Sequence, residues 1–477
     1  MNYLAPYNIK RTMKKLFLCA LLLFISLYPS AQVKQVPERP QVNNRVELMS
    51  IVFRLAGRAE YSSKDIKLYV SKIEDHFNKF RDHELILYVK SVMNERGLGY
   101  DAVMSMAVNL DKNLFIRKDI AGNSLDKRWG AECADKFTLL LRKFYTDAAC
   151  EEFFKSNADF YKEVANRFLP VYKQIDINWY KTFYGDEASE KFTIINGLGN
   201  GQGNYGVSVN YKDGNKEAFA IMGAWSTDST GMPLFRVEDY FPTLLHEFNH
   251  SFINHINAKQ SDLLKECGEQ LFPLVETEMR SQAYGNWLTM MNEALVRACV
   301  IKYMKDHNYA DVAIQREIKS QIDRGFFWIG ELVGELDKYS SQRDIYPSLE
   351  SFVPRLAVEY KRYVAMGLEM ENRRPKVTSI SEFSNGDKNV SPTVKTITIN
   401  FDKPLSGKAY SIVYGQLGPA AFPRVLKIEY APGNMSVVMS VELLPEKSYQ
   451  FVLTGKGFKS PEGIAIKSYT VNFETGK

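Results

Sequence analysis

"FPTLLHEFNHSF", residues 241–252, sets His246 and His250 four positions apart, with Glu247 directly after the first histidine. On a helix, residues four apart lie one above the other on one face, so both imidazoles can point at one ion. Two imidazoles on a zinc ion, with a carboxylate beside them to take a proton from the attacking water, is what the H-E-x-x-H spacing provides. The bland alternative is a helix that happens to carry two histidines. Histidine is scarce, 6 in 477 residues, so chance placement of the pattern is uncommon. The flanks Leu244, Leu245, Phe248, Phe252 and Ile253 are apolar, as a buried site helix requires. Pro242 suits a first helical turn.

A catalytic zinc keeps three protein ligands and one open position. His255 follows nine residues after His246, about half a turn out of phase at 3.6 residues per turn, and reads as a surface residue or one that supports a ligand from behind. A better third ligand lies in "GNWLTMMNEALVRACVIKYM", residues 285–304. Trp287, Leu288, Met291, Leu295 and Ala298 recur at helical spacing and predict a second amphipathic helix. Glu293 sits among these apolar residues and needs a partner. That partner is either Arg297 four positions on, as a helical ion pair, or the metal. Glu266, Glu269, Glu276 and Glu278 are alternatives in more polar sequence, but Glu293 is favoured because a ligand belongs on a rigid, packed element.

H-E-x-x-H followed by a helix carrying N-E-A-x-x-R resembles the gluzincins, zinc peptidases with two histidines and a downstream glutamate. More narrowly, the chain resembles a family of uncharacterised secreted bacterial proteins with a domain of unknown function, DUF4932, placed among gluzincin-like peptidases. That resemblance includes "RVELMSIVFRLAGRAEY" (residues 45–61) and "NYG" ahead of the site, and spans about residues 40–370. It implies zinc held by His246, His250 and Glu293, Glu247 as general base, and a peptide or protein substrate.

The chain opens with Lys10, Arg11, Lys14 and Lys15, then "LFLCALLLFISLY" and a small residue at Ala31. This predicts a signal peptide over residues 1–31 and a secreted, periplasmic or cell-surface protein. Nothing later is long and apolar enough to predict a transmembrane segment. Removing a leader with four basic and no acidic residues takes the formal charge from +5 to +1, which gives no reason to expect nucleic acid. Cys133, Cys150, Cys267 and Cys299 remain, none in a C-x-x-C pair, so a cysteine zinc knuckle is excluded and three disulfide pairings are conceivable.

Residues 32–185 read as a mostly helical N-terminal part and 186–372 as the zincin-like region. Between them "NGLGNGQGNYGVSVNYKDGNKEAFAIMGA" holds a literal G-x-G-x-x-G at Gly201, Gly203 and Gly206. A dinucleotide site would need a helix next. Instead Tyr205, Val207 and Val209 alternate with small or polar residues, a strand pattern, and "KDGNK" predicts a hairpin. The resemblance to gluzincins, in which an edge strand pairs with extended substrate backbone, makes residues 205–210, with Tyr205, Gly206 and Val207, the candidate for that role, the alternative being an ordinary sheet strand.

After "ENRRPK" the pattern changes. "TITINF", "YSIVYG", "LKIEYA", "MSVVMSVEL", "YQFVLTG" and "YTVNFET" alternate between turn residues and predict a β-sandwich over residues 376–477. The stretch resembles bacterial Ig-like domains, which implies spacing or binding to a cell surface or polymer.

The expected fold is multidomain: an α+β, mainly helical zincin-like metallopeptidase domain with a small sheet, then an all-β Ig-like sandwich. The expected activity is zinc-dependent peptide hydrolysis. Tyr284 and Arg297 are candidate donors to the developing oxyanion, Arg297 only if it is not tied to Glu293. Asn249 and Asn292 are candidate orienters of the ligands. The rivals are a non-catalytic adhesion protein on the same fold and a zinc hydrolase of a non-peptide substrate.

Overall fold

The computed structural model describes residues 38–185 and 191–477. The signal-peptide expectation for residues 1–31 lies outside the described residues. Two compact units make up the chain. One runs through Ser261 and adds Met291–Ile322 and Ile329–Pro354; the other comprises Asp262–Met290, Asp323–Trp328 and Arg355–Lys477.

In the first unit, strand β1 (Glu38–Gln41) leads into a run of helices: α1 (Asn44–Leu55), α2 (Lys67–Phe77), α3 (Glu84–Val92), α4 (Asp101–Asn109), α5 (Ala131–Asp147), α6 (Cys150–Ser156), α7 (Ala158–Arg167), α8 (Leu169–Tyr172) and α9 (Ile177–Tyr184). Local chemistry bounds α1 at both ends. The Asn43 side chain accepts the Arg45 N–H at the start. Gly57, at φ 88°, turns the chain after the last turn, which suits a residue without a Cβ. Every residue of α1 from Val46 to Leu55 is buried, including Glu47, so this helix is central rather than one-faced.

Strands β2 (Lys191–Gly197), β3 (Tyr205–Asn210) and β4 (Lys216–Gly223) join β1 in a sheet of order β1-β2-β4-β3. β1, β2 and β4 are parallel, and β3 returns antiparallel along the edge of β4. The predicted hairpin is present: Tyr211 N–H bonds Asn215 O at 2.9 Å, and Gly214 takes φ 89°. β2 and β4 are buried almost throughout, whereas β3 alternates, as an edge strand with one covered face should.

Six further helices follow: α10 (Val237–Lys259), α11 (Ser261–Ser281), α12 (Trp287–Asp306), α13 (Asp311–Asp323), α14 (Ile329–Ser341) and α15 (Leu349–Arg373). Two sequence expectations need correction here. Pro242 is inside α10 rather than in its first turn, because the helix begins at Val237 with Glu238 and Asp239 at its positive end and buries Tyr240 and Phe241 ahead of the motif. α12 is not amphipathic: from Met290 to Met304 every residue but Asn292 is buried.

The second unit contains most of α11 and the strands β5 (Val377–Ile380), β6 (Thr396–Phe401), β7 (Ile412–Tyr414), β8 (Arg424–Tyr430), β9 (Ser436–Glu442), β10 (Ser448–Leu453) and β11 (Tyr469–Glu474). They form two antiparallel sheets, β5-β6-β9-β8 and β11-β10-β7. Inward residues of both, among them Ile397, Ile399, Val437, Met439, Phe451 and Val471, share one core. Cys133, Cys150, Cys267 and Cys299 are buried free thiols. Among the described residues no helix is long and apolar enough to cross a membrane.

Candidate metal centre

Helix α10 carries both histidines to one face. Their Nε2 atoms stand 3.1 Å apart. Glu293, from the buried stretch of α12, meets them: its Oε2 is 3.6 Å from His246 Nε2 and its Oε1 is 3.4 Å from His250 Nε2. Three donors held tetrahedrally at bonds of about 2.0–2.1 Å lie about 3.3 Å from one another. The two imidazole nitrogens stand near that figure, and each carboxylate oxygen stands near it from a different imidazole, so the group could hold one ion once a single oxygen turns toward both. His246, His250 and Glu293 form a group that could hold a metal ion, the grouping expected from sequence. Glu266, Glu269, Glu276 and Glu278 belong to the second unit, and His255 is an exposed residue of α10 outside the triad.

Asparagines set the register between the two helices. Asn249 Nδ2 donates to Val296 O at 3.3 Å, and Asn257 Nδ2 to Asn292 Oδ1 at 2.9 Å. The Tyr184 hydroxyl from α9 donates to Asn249 Oδ1 at 3.0 Å, and the Tyr184 ring stacks on Phe252 at 4.2 Å. Asn249 and Asn292 thus orient the helices, not the ligands directly. The residue that orients a ligand is Asn254, which sequence reading missed. Its Oδ1 lies 3.1 Å from His250 Nδ1, so the proton sits on Nδ1 and Nε2 faces the triad. The i, i+4 spacing from His250 is the signal that pointed to it.

Burial and charge pull the site's acids apart. Burial works to raise the Glu293 carboxyl, but His250, His246 and Arg297 outweigh it and hold it well below the usual carboxylate range. Burial likewise opposes a charge on His250, yet Glu293 overcomes it and pushes the imidazole up to about 9. Glu247 has no such dominant cation. Burial pushes it up to about 7, with Glu293 adding to the shift and His250 opposing it. It is 7 % exposed, a carboxyl poised near neutrality beside the triad.

Arg297 Nη2 bonds Glu293 Oε2 at 3.0 Å. Glu293 therefore meets both expected partners, the helical ion pair and the histidines. The condition under which Arg297 served as an oxyanion donor is not met, because the buried guanidinium is committed to the ligand carboxylate. Tyr284 is in the second unit, in the turn after α11, where its N–H bonds Met279 O at 2.9 Å.

The edge strand reaches the motif through its backbone. The Gly206 N–H bonds the Glu247 carboxylate. A Cβ on Gly206 would come within 2.0 Å of Glu247 O and 3.0 Å of His250 Cβ, so only glycine lets β3 lie this close to α10. The Tyr205 and Val207 side chains are buried, Tyr205 facing Tyr61 at 6.4 Å between ring centroids.

The G-x-G-x-x-G loop runs into strand β3 rather than into a helix. Its neighbouring N–H groups, Leu198 and Gly199, donate to the buried Glu47 carboxylate at 2.7 and 3.1 Å. A Cβ on Gly199 would meet Ser50 Cβ at 2.6 Å, and one on Gly223 would meet Gly201 O at 2.3 Å. These glycines permit close packing against α1 and across the loop.

A helical unit with a small mixed sheet, carrying two histidines and a glutamate that could hold a metal ion, is the class these features define. The chain belongs to the DUF4932 family, a domain of unknown function whose model matches residues 40–358. No curated protein matches it. Among solved structures it is similar, at 13% identity and a TM-score of 0.17, to the N-terminal part of the bacterial S-layer protein SbsC, covering 50% of this chain and 64% of that one. A structure of domains 1–6 of the same surface-layer protein gives 13% identity and a TM-score of 0.18 over 83% of this chain and 46% of that one. The chain thus spans less than two thirds of these proteins, and likeness at this level defines no common fold.

Proposed function

We propose that this protein is a secreted zinc metallopeptidase of gluzincin type. The observation that carries the reading is the triad itself: two Nε2 atoms 3.1 Å apart and a carboxylate at 3.4 and 3.6 Å, beside a glutamate pushed up to about 7. Two neutral imidazoles and one carboxylate suit zinc, and three protein ligands leave the open position that catalytic zinc sites keep. Bound zinc would supply Lewis acidity, polarising a carbonyl and making a water more acidic.

Glu247 takes the proton of the attacking water and passes it to the leaving amine; a carboxyl near 7 suits both directions at neutral pH. Asn254 keeps Nε2 of His250 turned to the ion, and the asparagine bridges keep Glu293 opposite. The β3 backbone at Tyr205, Gly206 and Val207 offers an extended peptide an antiparallel partner beside Glu247. The seven strands of the second unit are read as a bacterial Ig-like domain that holds the enzyme to a cell surface or polymer.

The test combines metal analysis with cleavage. The purified chain is expected to bind about one zinc, to lose it in Glu293→Ala, and to cleave members of a peptide library. Glu247→Gln should keep the metal and lose at least about 100-fold in rate. A wild type that takes up no zinc defeats the proposal. Zinc without turnover on any peptide leaves the binding-protein reading in its place.

A further inference from the structure

Arg297 is 8 % exposed, and an arginine keeps its charge when buried, so every contact it makes carries energetic weight. Nη2 donates to Glu293 Oε2 at 3.0 Å, and Nη1 donates to Gln321 Oε1 at 3.0 Å. Gln321, on α13 and itself buried, donates from Nε2 to Glu317 Oε1 at 2.5 Å. The amide orientation is fixed from both ends. Its oxygen must face the guanidinium and its NH2 the carboxylate, since the flipped amide would set donor against donor. A third helix thus braces a ligand that belongs to the second.

We propose that Arg297, held by Gln321 and Glu317, is the positioning residue of the metal centre. It occupies Oε2 of Glu293, leaves Oε1 to the ion, and keeps the carboxylate from swinging into two-oxygen coordination. The inference rests on the metal triad of the proposed function and goes beyond it in assigning how the ligand is held. Arg297 touches neither substrate nor ion in this role; it acts through Glu293.

The test uses the full chain and reads metal, not turnover. Zinc affinity is measured by competition with a chromophoric chelator, and Co²⁺ loading gives a visible absorption spectrum that reports coordination number. Arg297→Met, similar in length but unable to make either bond, should bind zinc about 10- to 100-fold more weakly, with a lower-intensity Co²⁺ spectrum as a second oxygen enters the coordination sphere. Arg297→Lys should recover only part of the affinity, because one ammonium cannot span both partners. Gln321→Leu, which spares the Arg297–Glu293 bond, should lose a few-fold and serves as the test if Arg297→Met does not fold. Wild-type affinity and spectrum in folded Arg297→Met, or in Gln321→Leu if that variant carries the test, overturns the positioning role alone. A wild type that binds neither ion overturns the metal reading and this role with it.

Discussion

Glu293, inside α12, and Glu47, in the first turn of α1, are both buried carboxylates, and their surroundings have opposite consequences. Glu293 faces two imidazoles and a guanidinium, which hold it ionised despite its burial. Glu47 faces the Leu198 and Gly199 N–H groups and the Tyr69 hydroxyl, and burial pushes it up to about 7. Full positive charges outweigh desolvation where neutral dipoles do not. One region is built around a charge to be shared with an ion. The other uses a carboxyl to tie a glycine-rich loop to α1. Gly206, where β3 meets α10, is the point at which the second region bears on the first.

The strongest way to break this division is to force the two apart at that point. Gly206→Val should destabilise the chain by more than about 3 kcal/mol, because the added atoms meet backbone and no side-chain rotation relieves the clash. Thermal unfolding measures it; a shift of a degree or less would mean that β3 does not hold its place by close approach.

The next effect sharpens the contrast between the carboxyls. Glu47 has a folded value near 7, above its ordinary 4.5, so the folded state binds its proton more tightly than the unfolded state does. Its contribution is fully present below about 4.5 and is lost as pH rises through 7. Chemical denaturation of wild type against Glu47→Gln should show wild type gaining as pH falls from 8 to 5, by up to roughly 3 kcal/mol. A difference that is flat with pH would mean that Glu47 is ionised in the fold, like Glu293.

The smallest effect tests the polar register between α10 and α12. Asn257→Ala should lower stability by about 1 kcal/mol, the net worth of one hydrogen bond. It should also loosen zinc binding a few-fold by letting Glu293 drift from the histidines. Unchanged zinc affinity in the variant would leave the helix packing alone responsible for the geometry.

The triad was legible because helical periodicity converts a spacing of four into a shared face, and because a lone glutamate in apolar sequence announces a partner. The six alternating runs of the C-terminal region, each a strand in the structure, were legible for the same kind of reason. β1 and β5 were not: at four residues each they are too short to show alternation. Gln321 carried no signal, since it lies 24 residues beyond Arg297 on another helix and only tertiary packing brings it there. The amphipathic reading of α12 failed because a helix covered on every side has no polar face to mark. After the glycine loop a strand was expected, and β3 follows; the Glu47 carboxylate that accepts the Leu198 and Gly199 N–H groups just before the loop had no sequence signal.

The four buried thiols have a practical meaning. With no disulfide among them, reducing agents leave the described fold nothing to cleave. Each sulfur is hidden from an alkylating reagent until its surroundings open. Cys133, Cys150 and Cys299 lie in the first unit and Cys267 in the second. Labelling rates read by mass spectrometry would thus follow the opening of the two units separately within one molecule, and Cys299, two residues beyond Arg297, would register whether metal closes the helix that supplies Glu293.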